Sequence, residues 1–419
     1  MSGGTARRSA CVTLILAIFT CSAGFAQTTD QRIAVLSKIV AAKPGSARDE
    51  TALAKAYIQK MRETVDFSYL DRASKIVEDL LARDSGNYPA LRLRSEIGME
   101  RHEFKQVEEY SQAMTEFFRD DPWNWGTLGD ASMELGKYDQ ARKAYERMVA
   151  LRPDLSSYNR LSYYHFVTGD PDGAISLMKA AVSGAAATPE NKAWCLADLG
   201  KMYFKLGKLP DATAAFHEAL DIFPDYYPAY AGLGSVEAAE NHTAEAIASY
   251  KRAQSSVPLP EYAAALEELY RRAGKPEDSK QQKQLLEVIE TMARSANEKT
   301  NRNLAIIYAD QDRNLDRALE LAQNEIAVRP DIYTYDALAW VLFKRKQYAA
   351  AADASAKALA LNTPEPLFYF HAGMIADALG QKVEAKKYLE RAIALNPKFD
   401  IRQAEVARAA LERLSAAIN

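Results

Sequence analysis

The 419-residue chain has little of what most catalytic and metal chemistry requires: three cysteines and five histidines. Cys11 and Cys21 fall in the first 26 residues, so Cys195 has no intramolecular disulfide partner in the remainder. His102, His165, His217, His242 and His371 are scattered, and no His-x-x-x-His or Cys-x-x-Cys spacing occurs. Phosphate loops and a nucleophile elbow are absent too. Gly232-Leu233-Gly234 lies inside a helical pattern and is read as packing. Cys195 follows Trp194 near an expected helix start, where a thiol pKa falls, but no histidine is in phase with it, so it is read as structural. His165 falls on an inward stripe and is read as a hydrogen-bonded core residue, while His102 and His242 fall at turns. Glu108-Glu109 and Glu267-Glu268 are read as solvated helix faces. The formal net charge is −3, with no basic stripe of the kind that tracks a phosphate backbone. These gaps argue against an enzyme, a resident cofactor, a metal site and a nucleic-acid partner.

What the chain does have is a repeat. From Pro122, the residues Trp125, Leu128 and Gly129 lead one helical segment, Gly136-Lys137-Tyr138 breaks it, and Ala141, Tyr145 and Met148 lead a second that Pro153 stops. Apolar and small residues at i, i+3, i+4 and i+7 give each segment a helical period. The small residue at the eighth position admits close approach by the partner helix. Units start at 88, 122, 155, 193, 227, 260, 299, 332 and 366, with an earlier one near Ser46 that carries an insertion around Arg62–Tyr69. The long intervals come from a loop over Ser183–Pro189 and a lengthened second helix around Lys280–Glu290. Gly169-Asp170-Pro171 and Gly274-Lys275-Pro276 place proline at the first position of a helix, where its missing N–H costs nothing. About ten hairpins stacked in this way form an all-α solenoid in which stability is carried between neighbours.

The ends differ. Arg7-Arg8, an apolar run over Cys11–Phe19 and small residues closing at Gly24-Phe25-Ala26 describe a secretory signal peptide over 1–26. The apolar run falls short of the ~20 residues that span a bilayer. The chain is thus expected to be periplasmic or extracellular, with lipid attachment at Cys21 as an alternative, and the mature chain is expected to carry no transmembrane segment. Residues 27–45, with Ile33, Leu36, Ile39 and Val40, read as an N-terminal capping helix. The array occupies 46–399. Residues 400–419 read as a C-terminal capping helix that packs through Val406, Ala409, Ala410, Leu411 and Leu414.

This layout resembles the tetratricopeptide repeat. The stretches Phe223–Pro228, Val257–Tyr262 and Tyr335–Trp340 are similar to those of long bacterial members of that family, a group with no defined activity. The resemblance implies a right-handed superhelix whose positions 2, 5, 9, 12 and 13 of each first helix line a concave groove that holds a protein or peptide. Carried onto this sequence, those positions include Trp123, Asp130, Met133, Tyr163, Phe166, Trp194, Lys201, Phe204, Lys205, Tyr333, Asp336, Trp340, Phe343, Lys344 and Phe370. Two aromatic clusters, Tyr163/Phe166/Trp194/Phe204 and Tyr333/Trp340/Phe343/Phe370, are expected several units apart. The family's carboxylate clamp is missing, since its positions read Arg92/Glu96, Gly126/Asp130, Asn159/Tyr163 and Ala197/Lys201. The function implied is a non-enzymatic scaffold. An envelope assembly factor and a glycan binder are the alternatives.

Overall fold

The computed structural model describes residues 28–184, 188–295 and 299–418, so the expected leader over 1–26 and part of the Ser183–Pro189 loop lie outside the described residues. Among the described residues there are 22 helices and no strand. A lone helix α1 (Thr29–Ala42) precedes the pairs α2 (Ala47–Thr64) with α3 (Ser68–Arg83), α4 (Tyr88–Glu100) with α5 (Phe104–Phe117), and α6 (Pro122–Glu134) with α7 (Tyr138–Leu151). Next come α8 (Leu155–Val167) with α9 (Pro171–Ser183), α10 (Pro189–Lys205) with α11 (Leu209–Ile222), and α12 (Tyr227–Ala239) with α13 (Thr243–Ser256). The series closes with α14 (Pro260–Arg272) and α15 (Pro276–Ser295), α16 (Arg302–Asp310) and α17 (Leu315–Val328), α18 (Ile332–Lys344) and α19 (Tyr348–Ala358), α20 (Pro366–Ala378) and α21 (Lys382–Leu395), and a final lone helix α22 (Gln403–Ile418).

The described residues fall into two compact units, one ending at Ile76 and the other starting at Val77. In the first, α1 is tied to α2 by Lys60 Nζ to Asp30 (2.7 Å) and by Thr29 Oγ1 to Glu63 (2.6 Å). No residue of α1 is fully buried, but Ile33, Leu36 and Val40 are half-buried, and a capping box closes its N-terminus. Where an insertion is expected around Arg62–Tyr69, α2 runs on to Thr64 and Val65 closes it in the left-handed region (φ 57°).

In the second unit, the two helices of each pair from α4 onward pack on each other, and α5, α7, α9, α11, α13, α17, α19 and α21 also pack on the helix that follows. The small eighth position works as the sequence implies. A Cβ on Gly129 would stand 2.3 Å from the Tyr145 ring, and one on Gly200 would stand 2.5 Å from Phe216. Phe216, 1% exposed, also lies against Gly232 of the following pair, where a Cβ would approach it to 2.3 Å. One ring thus locks two successive hairpins. In the unit at 155 the same place is Ser162, which donates to the Ala174 carbonyl (2.7 Å) and bridges the hairpin by a hydrogen bond instead.

Two boundaries shift. Thr188 caps α10 by accepting from the Asn191 N–H, so that helix begins four residues before 193. Asn301 caps α16 likewise, three residues after 299. At the C-terminus, α22 buries Ala404, Ala407, Ala410 and Leu414 while Val406 and Ala409 are exposed. The buried face departs from the expected one at Val406 and Ala409, and Asp400 accepts from the Arg402 and Gln403 N–H groups where the helix starts.

Candidate partner-binding surface

The units beginning at 122, 155 and 193 do not leave their turns to solvent. Each turn meets the segment that leads into a helix six units further on. Gly136 faces the Pro330 carbonyl, Gly169 faces Leu361 and Asn362, and Gly207 faces Leu395 and Asn396. Hydrogen bonds run along the same seam. The Ile332 N–H donates to Tyr138 Oη (3.1 Å), Thr363 Oγ1 donates to the Val167 carbonyl, and Asn396 Nδ2 donates to the Phe204 carbonyl (2.7 Å). Ion pairs reinforce it: Arg329 with Glu134 (2.9 Å) and Lys205 with Glu365 (2.7 Å). Burial opposes the charge on Lys205, yet Glu365 holds its pKa above the ordinary value.

This seam brings together the aromatic clusters that the sequence reading places several units apart. Lys205 Nζ lies 5.6 Å from the Phe166 ring centroid and 5.3 Å from that of Tyr333. Phe166, Met133, Trp340 and Phe370 are buried, and Tyr163, Phe204, Tyr333 and Phe343 are half-buried. They pack instead of forming an open wall: Met133, Tyr163 and Tyr333 share a core with Ile332 and Phe368 across the seam, while Trp340, Phe343 and Phe370 pack among neighbouring units. Trp340 stacks on His371 (4.2 Å between centroids, 16° between planes) and on Phe343 (4.9 Å, 10°), and its Nε1–H donates to Asp310 Oδ1 (2.7 Å). Asp130 is committed to Arg160 and to the Tyr145 hydroxyl (2.9 Å each). Trp123 carries the Arg92 guanidinium at 4.4 Å. Lys201 is exposed and pairs with Asp198, Lys344 pairs with Asp312, and Trp194 stays 41% exposed.

Several polar readings change. His165 is only half-buried, and its Nδ1 meets Asp170 (2.7 Å), the cap of α9. Cys195 fits its structural reading: it is fully buried and burial pushes its pKa up to about 12, the opposite of an activated thiol. Glu108 is buried against Lys137. Glu268 is buried too, with Arg271, Arg272 and Arg402 all within 3.0 Å; burial works against its charge, but the three guanidiniums bring its pKa down to about 2.

A cavity of about 370 Å³ remains on the concave face. Ser235 and Ala239 line it from the unit at 227, Glu261, Ala264 and Glu268 from that at 260, and Asn303, Ile307, Asp310 and Gln311 from that at 299. Asp336 and Leu367 join from the units at 332 and 366. All of these hold positions 2, 5, 9, 12 or 13. Ala265, Ile306 and His371 line it from positions outside that set. The opposite wall is Phe204 and the segment Lys398–Gln403. Arg402 anchors that segment by donating to Glu268 (3.0 Å) and to the Asp310 carbonyl (3.1 Å). Asp310 also accepts from Gln403 Nε2 (2.6 Å), while burial and the nearby Asp400 push its pKa up to about 6. Among the described residues no cluster has the make-up of a metal site, and no helix is long and apolar enough to cross a membrane.

Models of the tetratricopeptide repeat match residues 127–191, 203–269 and 366–399. No curated protein matches the chain. Among solved structures it is similar to PilW, a widely conserved type IV pilus biogenesis factor, at 15% identity and a TM-score of 0.42, over 47% of this chain and 91% of that one. It is similar to a chain of the APC/C hetero-tetramer Cut9–Hcn1 at 15% identity and a TM-score of 0.33, over 92% and 93%. The likeness to MamA is 24% in identity with a TM-score of 0.34, over 40% of this chain and 97% of that one.

Proposed function

The chain belongs to the tetratricopeptide repeat family, and from that premise we propose that it is a non-enzymatic, exported scaffold that holds a protein or peptide partner on its concave face. The observation that supports this is the convergence of surface positions from five consecutive units on one cavity with an apolar floor and a few directed polar groups. Binding sites have that composition. Trp194 and Lys201 are the expected groove positions left most open to solvent.

Ala264→Phe tests the reading, because the new ring fills the cavity from its floor. With residues 27–419 as bait in an envelope extract, wild-type protein is expected to retain a partner that the variant loses while its melting curve is unchanged. Equal capture by both would remove the cavity from the reading. Export is supported by the Arg7-Arg8, apolar and small-residue order of residues 1–26. Mass spectrometry of the protein from its native cells is expected to find an N-terminus at or near Gln27, and a chain retaining Ser2 would refute export.

A further inference from the structure

Antiparallel hairpins joined in series have two edges, one made of the turns inside the units and one of the segments between units. The seam seats the second edge on the first: Pro330, Asn362 and Asn396 lie between units and meet the turns at Gly136, Gly169 and Gly207. Only part of each edge is used in this way. The turns at Asn241, Gly274, Asp312, Lys346 and Gly380 are exposed, and nothing else stands within 4 Å of a Cβ built on Gly274 or Gly380. On the other edge, the segments before the units at 122, 155 and 227 are exposed at Phe118, Arg152 and Phe223.

The bare parts repeat the joined ones. Arg152-Pro153-Asp154 has the sequence of Arg329-Pro330-Asp331, and Gly274-Lys275 that of Gly136-Lys137, so both halves of the Gly136–Pro330 joint occur a second time. Phe118, Arg152 and Phe223 close α5, α7 and α11 as Arg329 and Asn396 close α17 and α21. Within the seam Asn396 is buried and Arg329 half-buried, whereas Phe118 and Phe223 are exposed, with Phe117 beside them at 82%. The turns show the same contrast. Leu135, just before Gly136, is buried, but Leu379, just before Gly380, is exposed, and Val383 beyond it is 72% exposed. Bare apolar strips of this kind mark an interaction surface. Their charges are complementary: Lys275, Lys346 and Lys382 are exposed on the turn edge, and Asp120 and Asp225 on the other. We propose that a second copy of the chain docks here, its segments before the units at 122, 155 and 227 seating on the exposed turns of the first copy and repeating the seam between molecules. The two surfaces differ, so the contact is heterologous and runs head to tail, into a ring if the rotation closes and a filament if it does not.

Sedimentation equilibrium of residues 27–419 tests this with one variant for each edge. Phe117→Lys with Asp120→Lys sets like charge against the turn lysines, and Lys382→Glu with Val383→Glu sets it against the aspartates of the other edge. All four positions are exposed, so the melting curves of both variants are expected to match that of the wild-type chain. The wild-type weight-average mass is expected to rise with concentration to more than about twice that of one chain, as a head-to-tail contact requires. Each variant alone is expected to stay monomeric. Mixed, the two are expected to associate, because each keeps the edge that the other has lost. A wild-type chain that stays monomeric at every concentration would overturn the proposal. So would a dimer that either variant still forms alone, or variants that remain apart when mixed.

Discussion

Trp340→Ala is expected to destabilise the C-terminal pairs by about 3–5 kcal/mol, the range for removing a large buried aromatic. The indole is 4% exposed, lies between His371 and Phe343, and contacts Phe370 at 5.6 Å between centroids. Its loss also removes the N–H that Asp310 accepts, leaving a buried carboxylate with one partner fewer, which adds to the cavity cost. Trp194→Ala is the control. At 41% exposure it is expected to change stability by no more than about 0.5 kcal/mol. Thermal melting with hydrogen exchange resolved by helix measures both, and the protection lost in Trp340→Ala should centre on α16, α18 and α20. Equal, small effects would mean that the indole stack is not formed.

The turn glycines give the second large effect. Gly136, Gly169, Gly207 and Gly380 all have positive φ, between 68° and 86°, and alanine in that region costs about 1–2 kcal/mol wherever it occurs. At Gly380 nothing else stands within 4 Å of a new Cβ. At Gly136 the Pro330 carbonyl oxygen would be 2.8 Å away, and at Gly207 the Leu395 carbonyl oxygen 2.9 Å. Those obstacles are backbone, with no rotamer to relieve them. Gly136→Ala and Gly207→Ala are therefore expected to cost about 1–3 kcal/mol beyond Gly380→Ala, as overpacking does. The extra cost should appear in chemical denaturation as loss of the seam and not as loss of the hairpin itself. Conformation alone does not demand glycine there: His102, Asn241 and Lys346 hold the matching turns of other units at φ 59°, 65° and 61°.

That comparison shows what the sequence carries. Gly136 is legible as the end of a helix, because the period marks it and the left-handed cap explains it. The carbonyl that crosses it is not, since Pro330 belongs to a different repeat of the same pattern. The starts at 88, 122, 155, 227, 260, 332 and 366 are legible for the same local reason, and those at 193 and 299 shift where Thr188 and Asn301 provide earlier or later caps. The concave positions follow from helical phase. Whether Phe204 ends up facing open space is decided by chain nearly two hundred residues away, at Asn396. Glu268 makes the point in one side chain: Arg271 and Arg272 lie three and four residues on, within helical reach, but Arg402 does not, and only with it does a solvated-looking carboxylate become a buried anchor.

The seam also changes how the chain must fold. An array whose units touch only neighbours can nucleate anywhere, and its stability falls by steps as units are cut from one end. Here Tyr138–Ile332, Val167–Thr363 and Phe204–Asn396 join residues 194, 196 and 192 apart, a contact order foreign to a linear repeat. Local hairpins form fast and distant pairings slowly, so stacking and closure become separate events in time. During synthesis the units at 122, 155 and 193 are complete long before their counterparts exist, and must wait with Tyr138, Val167 and Phe204 unmatched. The final pairs then arrive as a clasp, and an insertion or deletion of one repeat between the two halves would misalign all three of its joints at once.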